Sequence, residues 1–261
     1  MSEENLIKTI IQAASAGMEA IRSVVRSDLQ TEQKADWSPV TEADRRSHKA
    51  IQWILSETGI PVVSEEGADI PFSIRKDYKL CWMVDPLDGT KEFIKGSDEY
   101  TINIALLDQG KPILGLIAIP ERNLFYLGSK STGAIRFNHD GIDQDGWPSV
   151  FDKLPEHQQT SKLRVIASRS HLNDSTANYI EQLRKKHGEL DFVQAGSALK
   201  FCLLAEGNAD VYPRFSPCME WDTAAGHVLL NLCGKKLLAW PGDEELVYNK
   251  ENLLNPDFIA I

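Results

Sequence analysis

A short apolar segment that ends in two aspartates constrains this chain more than any other feature. Residues 80–84 predict a buried strand, and the sequence then continues as DPLDGT. Pro86 presets φ for a turn, and Gly89 relieves the strain of closing it. Asp85 and Asp88 can then aim their carboxylates at one point, which is costly unless a cation lies between them. Because hard divalent cations prefer oxygen ligands, the segment predicts a Mg²⁺ site rather than an ordinary acidic turn.

Composition excludes several classes of protein. The 261 residues suffice for one large or two modest domains, and 42% hydrophobic with 25% charged residues is typical of a soluble globular protein. A formal net charge of −10 argues against a nucleic-acid polymer as partner. A phosphate ester can still bind, because metal ions invert the local field.

Targeting and redox signals are weak in this sequence. The chain has no apolar run long enough to span a bilayer and no secretory leader pattern. Its 4 cysteines form neither a Cys-x-x-Cys pair nor a zinc-ligand spacing. We therefore expect reduced thiols in a cytoplasmic protein. Peripheral association with the inner membrane face and the oligomeric state are left open.

The first half of the chain predicts an α+β unit. Apolar residues at helical spacing over 6–25 indicate an amphipathic helix, and Thr41 with Asp44 forms a capping box for a second helix toward Glu57. Period-two apolar runs separated by turn residues predict strands and then a meander of hairpins, at residues 60–63, 80–84, 101–107, 113–119 and 124–127.

The pattern changes after a segment rich in Asp, Gly, Pro and Gln at 139–159, where we place a domain boundary. The predicted domains are 1–155 and 156–261. In the second, strands and helices alternate, which is typical of an α/β half. The predicted strands are 163–167, 190–193, 210–212 and 236–240, and the predicted helices are 173–186, 197–206 and 222–232.

Three separated motifs carry a resemblance to a known family. They are SEE at 64–66, DPLDGT at 85–90 and WDTAAGH at 221–227. In this order they resemble the signatures of the inositol monophosphatase superfamily of Mg²⁺-dependent, lithium-sensitive phosphatases. Further segments at 91–96, 196–202 and 212–215 are similar to its 3′(2′),5′-bisphosphate nucleotidase branch, in particular the bacterial CysQ type.

The resemblance implies a fold and a set of metal ligands. The fold is a layered α-β-α-β-α sugar-phosphatase-like architecture, with an N-terminal α+β metal-binding domain, a C-terminal α/β substrate-binding domain and the site in the cleft between them. Two or three Mg²⁺ ions would be held by the backbone carbonyl of Leu87 and by four carboxylates. These carboxylates are Glu65, Asp85, Asp88 and Asp222. Glu66 would point the other way from Glu65 if the backbone is extended.

The catalytic residues implied by the resemblance are Asp44, Thr90 and Glu65. Asp44 would orient Thr90, whose hydroxyl would position and deprotonate the attacking water. Each aspartate also has a plain structural interpretation: Asp44 completes a capping box, and Asp222 is an N-cap before an apolar helix. The structural and functional interpretations are compatible.

Substrate residues follow from the same resemblance and from charge. The amides of Gly89 and Thr90 can donate to a phosphate. A second phosphate would bind to the cations Lys200 and Arg214 and to a helix N-terminus at Ser197. The resemblance adds His171 as a nucleotide contact and Asp222 to the expected substrate residues. Glu206 fits the family's Ala-Glu-Gly segment near the substrate, but it also fits the last turn of a helix capped by Gly207, and we favour this second interpretation.

The expected reaction is hydrolysis of the 3′-phosphate of adenosine 3′,5′-bisphosphate, leaving AMP. Water would attack directly, since the sequence has no Cys-x₅-Arg loop, and it lacks the P-loop of NTP-driven enzymes. An inositol monophosphate phosphatase is the nearest alternative. A non-catalytic nucleotide sensor is the alternative from another class.

Overall fold

The order of helices and strands follows the sequence pattern. A computed structural model describes residues 1–25, 32–33, 39–155, 161–167 and 173–261. The helices are α1 (Glu3–Arg22), α2 (Glu42–Ser56), α3 (Phe72–Arg75), α4 (Thr90–Ile94), α5 (Asp174–His187), α6 (Leu199–Glu206) and α7 (Glu220–Leu232). The strands are β1 (Glu32–Gln33), β2 (Pro39–Val40), β3 (Val62–Ser64), β4 (Leu80–Asp88), β5 (Thr101–Asp108), β6 (Lys111–Ile119), β7 (Leu124–Ser129), β8 (Gly133–Asn138), β9 (Asp152–Lys153), β10 (Leu163–Ile166), β11 (Leu190–Val193), β12 (Tyr212–Arg214), β13 (Leu237–Ala239) and β14 (Phe258–Ala260).

A seven-stranded sheet forms the centre of the first half, with its strands in sequence order from β3 to β9. The β3–β4 pair is parallel and the following pairs are antiparallel. Side chains alternate across this sheet. Ile102 and Ile104 of β5 face a core shared with α1 and α2, whereas Ala105 and Leu107 face a core shared with α6 and α7.

The second half adds a smaller sheet and one more helix layer. Strands β10 and β11 pair in parallel, and β12, β14 and β13 pair antiparallel. A parallel bridge between Val165 and Val211 joins the two groups. Ile180 and Leu183 of α5 pack against Val165 and Val211 in a third cluster. The layers are therefore α1 and α2, the large sheet, α6 and α7, the small sheet, and α5, which confirms the predicted α-β-α-β-α architecture.

The segment after Val84 differs from the prediction. We expected a turn at Pro86, but β4 continues to Asp88 with a shift of register between Asp85 and Asp88. Proline is tolerated at this irregularity because no ladder hydrogen bond is needed from its nitrogen. Its carbonyl accepts the hydroxyl of Ser47 from α2 at 2.7 Å. The two aspartates therefore lie on a bulged strand end.

Other boundaries shift by a few residues, and the short elements α3, α4, β8, β9 and β14 had no clear sequence signal. Among the described residues, no helix is both long and apolar enough to cross a membrane. The division into domains at residue 155 stays a prediction.

Candidate active site

The start of α2 presents Asp44 to the site. Asp44 Oδ2 accepts the backbone N–H of Thr41 at 2.8 Å and the Thr41 hydroxyl at 2.6 Å, so the predicted capping box is present. Asp44 Oδ1 accepts the hydroxyl of Thr90 at 2.9 Å. One carboxylate thus caps α2 with one oxygen and holds Thr90 with the other, and the two interpretations of Asp44 are compatible.

The end of β4 supplies the next group. Asp85 is buried, and its Oδ1 accepts the backbone N–H of Leu87 at 3.0 Å. The Leu87 side chain lies in the core, which leaves its backbone as the polar part facing this region. Gly89 then adopts φ of +92° as the N-cap of α4, and Thr90 is the first residue of that helix. This left-handed conformation brings Thr90 back toward Asp44.

Glu65 and Glu66 follow β3 and act on different neighbours. The charge of Glu65 raises the pKa values of Asp85, Asp88 and Asp222, and the Glu65 and Asp85 carboxyls hydrogen-bond. The charge of Glu66 instead contributes to the raised pKa of Asp44. Glu65 therefore belongs with the three aspartates, whereas Glu66 lies on the Asp44 side.

Asp222 comes from the other half of the chain. It was expected to be an N-cap, but α7 begins at Glu220 with Met219 as its N-cap, so Asp222 is the third residue of the helix. Its Oδ2 accepts the Met219 backbone N–H at 2.9 Å and the Cys218 thiol at 3.3 Å. The helix start therefore fixes this carboxylate, although from a different position.

The three aspartates Asp85, Asp88 and Asp222 have raised pKa values. Burial is the largest cause at Asp85, Asp88 and Asp222, and their mutual repulsion with Glu65 adds to it. The pKa of Asp88 rises to about 6 and that of Asp222 to about 7, while that of Asp85 lies well above its ordinary value. Four acidic side chains from β3, β4 and α7 thus form one electrostatic unit, which we call the carboxylate cluster (Glu65, Asp85, Asp88 and Asp222).

The chemistry of the carboxylate cluster fits a divalent cation. Buried carboxylates that repel one another take up protons when no cation neutralises them, and oxygen donors suit Mg²⁺. The amide oxygen of buried Asn103, beside Asp88, also has no hydrogen-bond partner among the described residues. Among the same residues, no three His, Cys, Asp or Glu side chains are arranged so that they could coordinate a metal ion together. Asp85 and Asp222 instead accept hydrogen bonds from the protein donors described above. Cation binding would therefore require local changes of side-chain rotamer.

A cavity of about 450 Å³ opens beside the carboxylate cluster. Asp88 and Asp222 line it, and Gly89, Ser197, Lys200 and Arg214 from the predicted substrate set line it too. Glu65 lines a smaller neighbouring cavity of about 230 Å³ with Arg75 and Trp221. The larger cavity thus combines metal-ligand candidates with cationic side chains.

Lys200 is a buried cation in this cavity, only 6% exposed. Its ammonium donates to the Ser197 carbonyl at 3.0 Å and lies 5.6 Å from the centroid of the Tyr212 ring. Burial lowers the pKa of Lys200, and the Asp88 carboxylate opposes this effect. Lysine is rarely this buried unless it is paired. Lys200 is therefore placed to hold an anion against the carboxylate cluster.

Arg214 ends β12 on the same cavity wall. One terminal nitrogen donates to the Pro217 carbonyl at 2.9 Å, and Nε is buried with no partner in the described part of the chain. Burial acts to lower the pKa of Arg214, but Tyr212, Cys218 and the carboxylates of Asp222 and Asp88 raise it overall. The guanidinium therefore stays charged beside the cavity.

Ser197 differs from its predicted environment. Helix α6 begins at Leu199 with Ala198 as its N-cap, so Ser197 precedes the helix. Its hydroxyl lies 2.9 Å from the carbonyls of both Asp88 and Glu99, to which it can donate. Ser197 lines the cavity, yet its side chain joins the two halves of the chain. The predicted substrate residue His171 lies outside the described residues.

Sequence reasoning missed three polar residues of the site. Cys218 donates to Asp222, Tyr212 lies under Lys200, and Asn103 donates to Asp88 at 3.5 Å. Only Asn103 carried a sequence signal, as a polar residue inside an apolar strand. Glu206 behaves as the sequence predicted, since it ends α6 before the left-handed Gly207. Its buried carboxylate binds Arg136 at 2.7 Å and the Tyr126 hydroxyl at 2.6 Å.

Comparison with known proteins shows the family to which the chain belongs. The Inositol monophosphatase family profile matches residues 2–257. The 3′(2′),5′-bisphosphate nucleotidase CysQ of Salmonella typhimurium is 38% identical over 258 residues, covering 97% of this chain and 98% of that protein. The Shigella flexneri protein of the same name is 42% identical over 228 residues and covers 86% of each chain.

A solved structure has the same fold over nearly the whole chain. The crystal structure of CysQ from Bacteroides thetaiotaomicron, described as a bacterial member of the inositol monophosphatase family, is 42% identical to this chain. It superposes with a TM-score of 0.89 and covers 99% of this chain and 97% of that one. Profile, sequence and fold therefore agree, and the chain is an enzyme that belongs to the inositol monophosphatase family.

Proposed function

We propose that this protein is a Mg²⁺-dependent phosphomonoesterase that hydrolyses the 3′-phosphate of adenosine 3′,5′-bisphosphate to give AMP and inorganic phosphate. One observation carries the proposal: Asp88 and Asp222 of the carboxylate cluster line the same cavity as Lys200, which is buried, and Arg214, which is partly exposed. Lys95 lines this cavity too. A site with metal-binding carboxylates beside further cations suits a substrate with two phosphates. The name of the bacterial relatives supports the same substrate class.

The residues that would hold Mg²⁺ are the carboxylate cluster and the backbone carbonyl of Leu87, with two or three ions per site. When bound, the ions would neutralise the phosphate oxygens, acidify a water molecule and stabilise the leaving alkoxide. Without them, burial and the repulsion between neighbouring carboxylates raise the pKa values of Asp85, Asp88 and Asp222. Cation binding would thus displace protons from the carboxylate cluster.

Asp44 and Thr90 provide a path for the proton of the attacking water. The Thr90 hydroxyl already donates to Asp44 Oδ1, and burial raises the pKa of Asp44, which makes it a better proton acceptor. As water forms the new bond to phosphorus and the bond to the 3′-oxygen breaks, the water proton would pass to Thr90 Oγ while the Thr90 proton passes to Asp44. The departing 3′-alkoxide would take up a proton from solvent water to become the 3′-hydroxyl of AMP, and Asp44 would return its proton to solvent. The amides of Gly89 and Thr90 would donate to the phosphate oxygens.

Lys200 and Arg214 would bind the second phosphate of the nucleotide. Ser197 would contribute by holding the loop before α6 against Asp88, and His171 stays a predicted nucleotide contact. An inositol monophosphate has no second phosphate for these cations. A nucleotide sensor would bind the same ligand but would not hydrolyse it. A cytoplasmic location also stays a prediction.

Substitution of Lys200 tests this assignment. A charged hydrogen bond is worth about 1.5–3 kcal/mol, so Lys200→Met should lower kcat/KM for adenosine 3′,5′-bisphosphate by about 10- to 100-fold. Hydrolysis of 3′-AMP, which lacks the 5′-phosphate, should change much less and reports whether the carboxylate cluster still works. Lys91→Met in α4 is the matched control, because the Lys91 side chain is exposed and does not line the cavity.

Each outcome separates the alternatives. Equal losses of kcat/KM for adenosine 3′,5′-bisphosphate and for 3′-AMP would show that Lys200 does not bind the second phosphate. Preference of the unaltered protein for inositol 1-phosphate would keep the chemistry and overturn the substrate. Tight nucleotide binding without phosphate release would favour the sensor.

A further inference from the structure

Asn103 is a fully buried amide in an apolar strand. It is 0% exposed, between Ile102 and Ile104 of β5, and it pairs across the sheet with Asp85. A buried amide lowers stability unless its polar atoms are hydrogen-bonded, so a residue chosen for packing alone would be apolar here. Asn103 instead faces the side of the sheet where Asp85 and Asp88 lie.

The amide nitrogen of Asn103 is directed at Asp88. Asn103 Nδ2 and Thr101 Oγ1 both lie 3.5 Å from Asp88 Oδ2, as donors from neighbouring positions on the same face of β5. Strand β5 therefore directs two donors at one oxygen of this aspartate.

The amide oxygen of Asn103 is buried and has no partner within the described residues. Rotating the amide would not satisfy it, because the oxygen would then face the Asp88 carboxylate, which is also an acceptor. A buried acceptor of this kind is uncommon in native proteins and requires an explanation. Water molecules around a divalent cation in the carboxylate cluster would bring the missing O–H donor.

We propose that Asn103 is a positioning residue of the cation site: its amide N–H orients Asp88, and its amide oxygen accepts a hydrogen bond from the hydration shell of the cation. This inference rests on the proposed function in one respect, the presence of a divalent cation in the carboxylate cluster. It does not depend on which phosphate ester is hydrolysed.

Mn²⁺ binding to the nucleotide-free protein is the test, measured by calorimetry and by the spin resonance signal of free Mn²⁺. Asn103→Leu removes both polar atoms at similar size and should weaken Mn²⁺ binding at least tenfold. The unfolding temperature in EDTA should be equal or higher, because a buried unpaired acceptor is lost. At saturating Mg²⁺ the KM for the nucleotide should stay within twofold, while the Mg²⁺ concentration for half-maximal rate rises.

Two further variants keep the test decisive. Ile104→Val changes the opposite face of β5 and should lower the unfolding temperature while leaving Mn²⁺ affinity unchanged. Asn103→Val replaces the leucine variant if that protein does not fold. Unchanged Mn²⁺ affinity in a folded Asn103 variant would overturn the inference.

The inference and the proposed function can fail separately. If the unaltered protein binds Mn²⁺ but does not hydrolyse the nucleotide, weaker Mn²⁺ binding by Asn103→Leu still supports the positioning role. Only the proposed reaction is then refuted. If the unaltered protein binds no Mn²⁺, the inference is overturned as well.

Discussion

The Ser197 hydroxyl lies 2.9 Å from the Asp88 carbonyl, a contact between residues 109 positions apart in sequence. Gly89, next to Asp88, makes this contact possible. A Cβ at position 89 would lie 2.1 Å from Ser197 Oγ, and the φ of +92° there disfavours any other residue. The contact between the two halves of the chain therefore requires glycine at position 89, because any side chain there would clash with Ser197.

Gly89→Ala should disrupt this junction and the start of α4. A positive φ alone costs a non-glycine residue about 1–2 kcal/mol. Gly133→Ala is the matched control, because its φ is +69° and a Cβ there meets nothing within 4 Å. We expect urea denaturation to show a larger loss of stability for Gly89→Ala, with strongly reduced phosphatase activity. Equal losses in the two variants would contradict the proposed role of the contact.

Stability in EDTA should depend on pH in an unusual direction. The folded pKa values of Asp88, about 6, and Asp222, about 7, lie above the unfolded value near 3.9. The folded state therefore binds more protons between pH 4 and 7, and its free energy of unfolding falls as pH rises through that window. The slope approaches about 1.4 kcal/mol per pH unit for each such group.

Unfolding free energies at pH 5 and pH 8 in EDTA would test this slope. Asp222→Asn should flatten the dependence, because the amide does not titrate. Saturating Mg²⁺ should flatten it too, since the cation replaces the protons. A protein that is more stable at pH 8 than at pH 5 in EDTA, with no effect of Asp222→Asn, would refute the electrostatic description of the carboxylate cluster.

Asp85→Asn should separate activity from stability. Asp85 is buried among like charges, so its neutralisation should keep or raise the unfolding temperature in EDTA. The same change removes a proposed Mg²⁺ ligand, and turnover should fall by orders of magnitude. The Mg²⁺-induced rise in unfolding temperature should also shrink. Retained turnover would eliminate Asp85 as a ligand.

Lithium should inhibit the enzyme when Mg²⁺ is limiting. Li⁺ would replace one Mg²⁺ after turnover and hold the product in place. Rates measured in millimolar LiCl, against equal concentrations of KCl as the control for ionic strength, should fall with added lithium. The same rates in both salts would count against a replaceable cation in the carboxylate cluster.

The local parts of this site could be predicted from the sequence. The capping box at Asp44, the strand before Asp85 and the body of helix α7 each depend on residues close together in the chain, so propensity and spacing identify them. The start of α7 was predicted two residues late, at Asp222 instead of Glu220. The layered fold followed from the family motifs and the change of pattern after residue 139. The contact of Asp44 with Thr90 was expected from the resemblance alone.

Local patterns do not predict contacts between distant segments. The Ser197 hydroxyl reaches the Asp88 carbonyl only because the loop before α6 lies against the end of β4, and no local pattern encodes that contact. The thiol of Cys218 and the amide of Asn103 acquire roles in the same way. Pro86 misled the prediction of a turn, because a register shift in β4 allows proline within the strand.

Phosphate release from adenosine 3′,5′-bisphosphate and from inositol 1-phosphate, in Mg²⁺ and then in EDTA, tests the central claim most directly. We predict a strong preference for the nucleotide, abolished by EDTA. A preference for inositol 1-phosphate would contradict the roles given to Lys200 and Arg214, and release that persists in EDTA would contradict the metal chemistry itself.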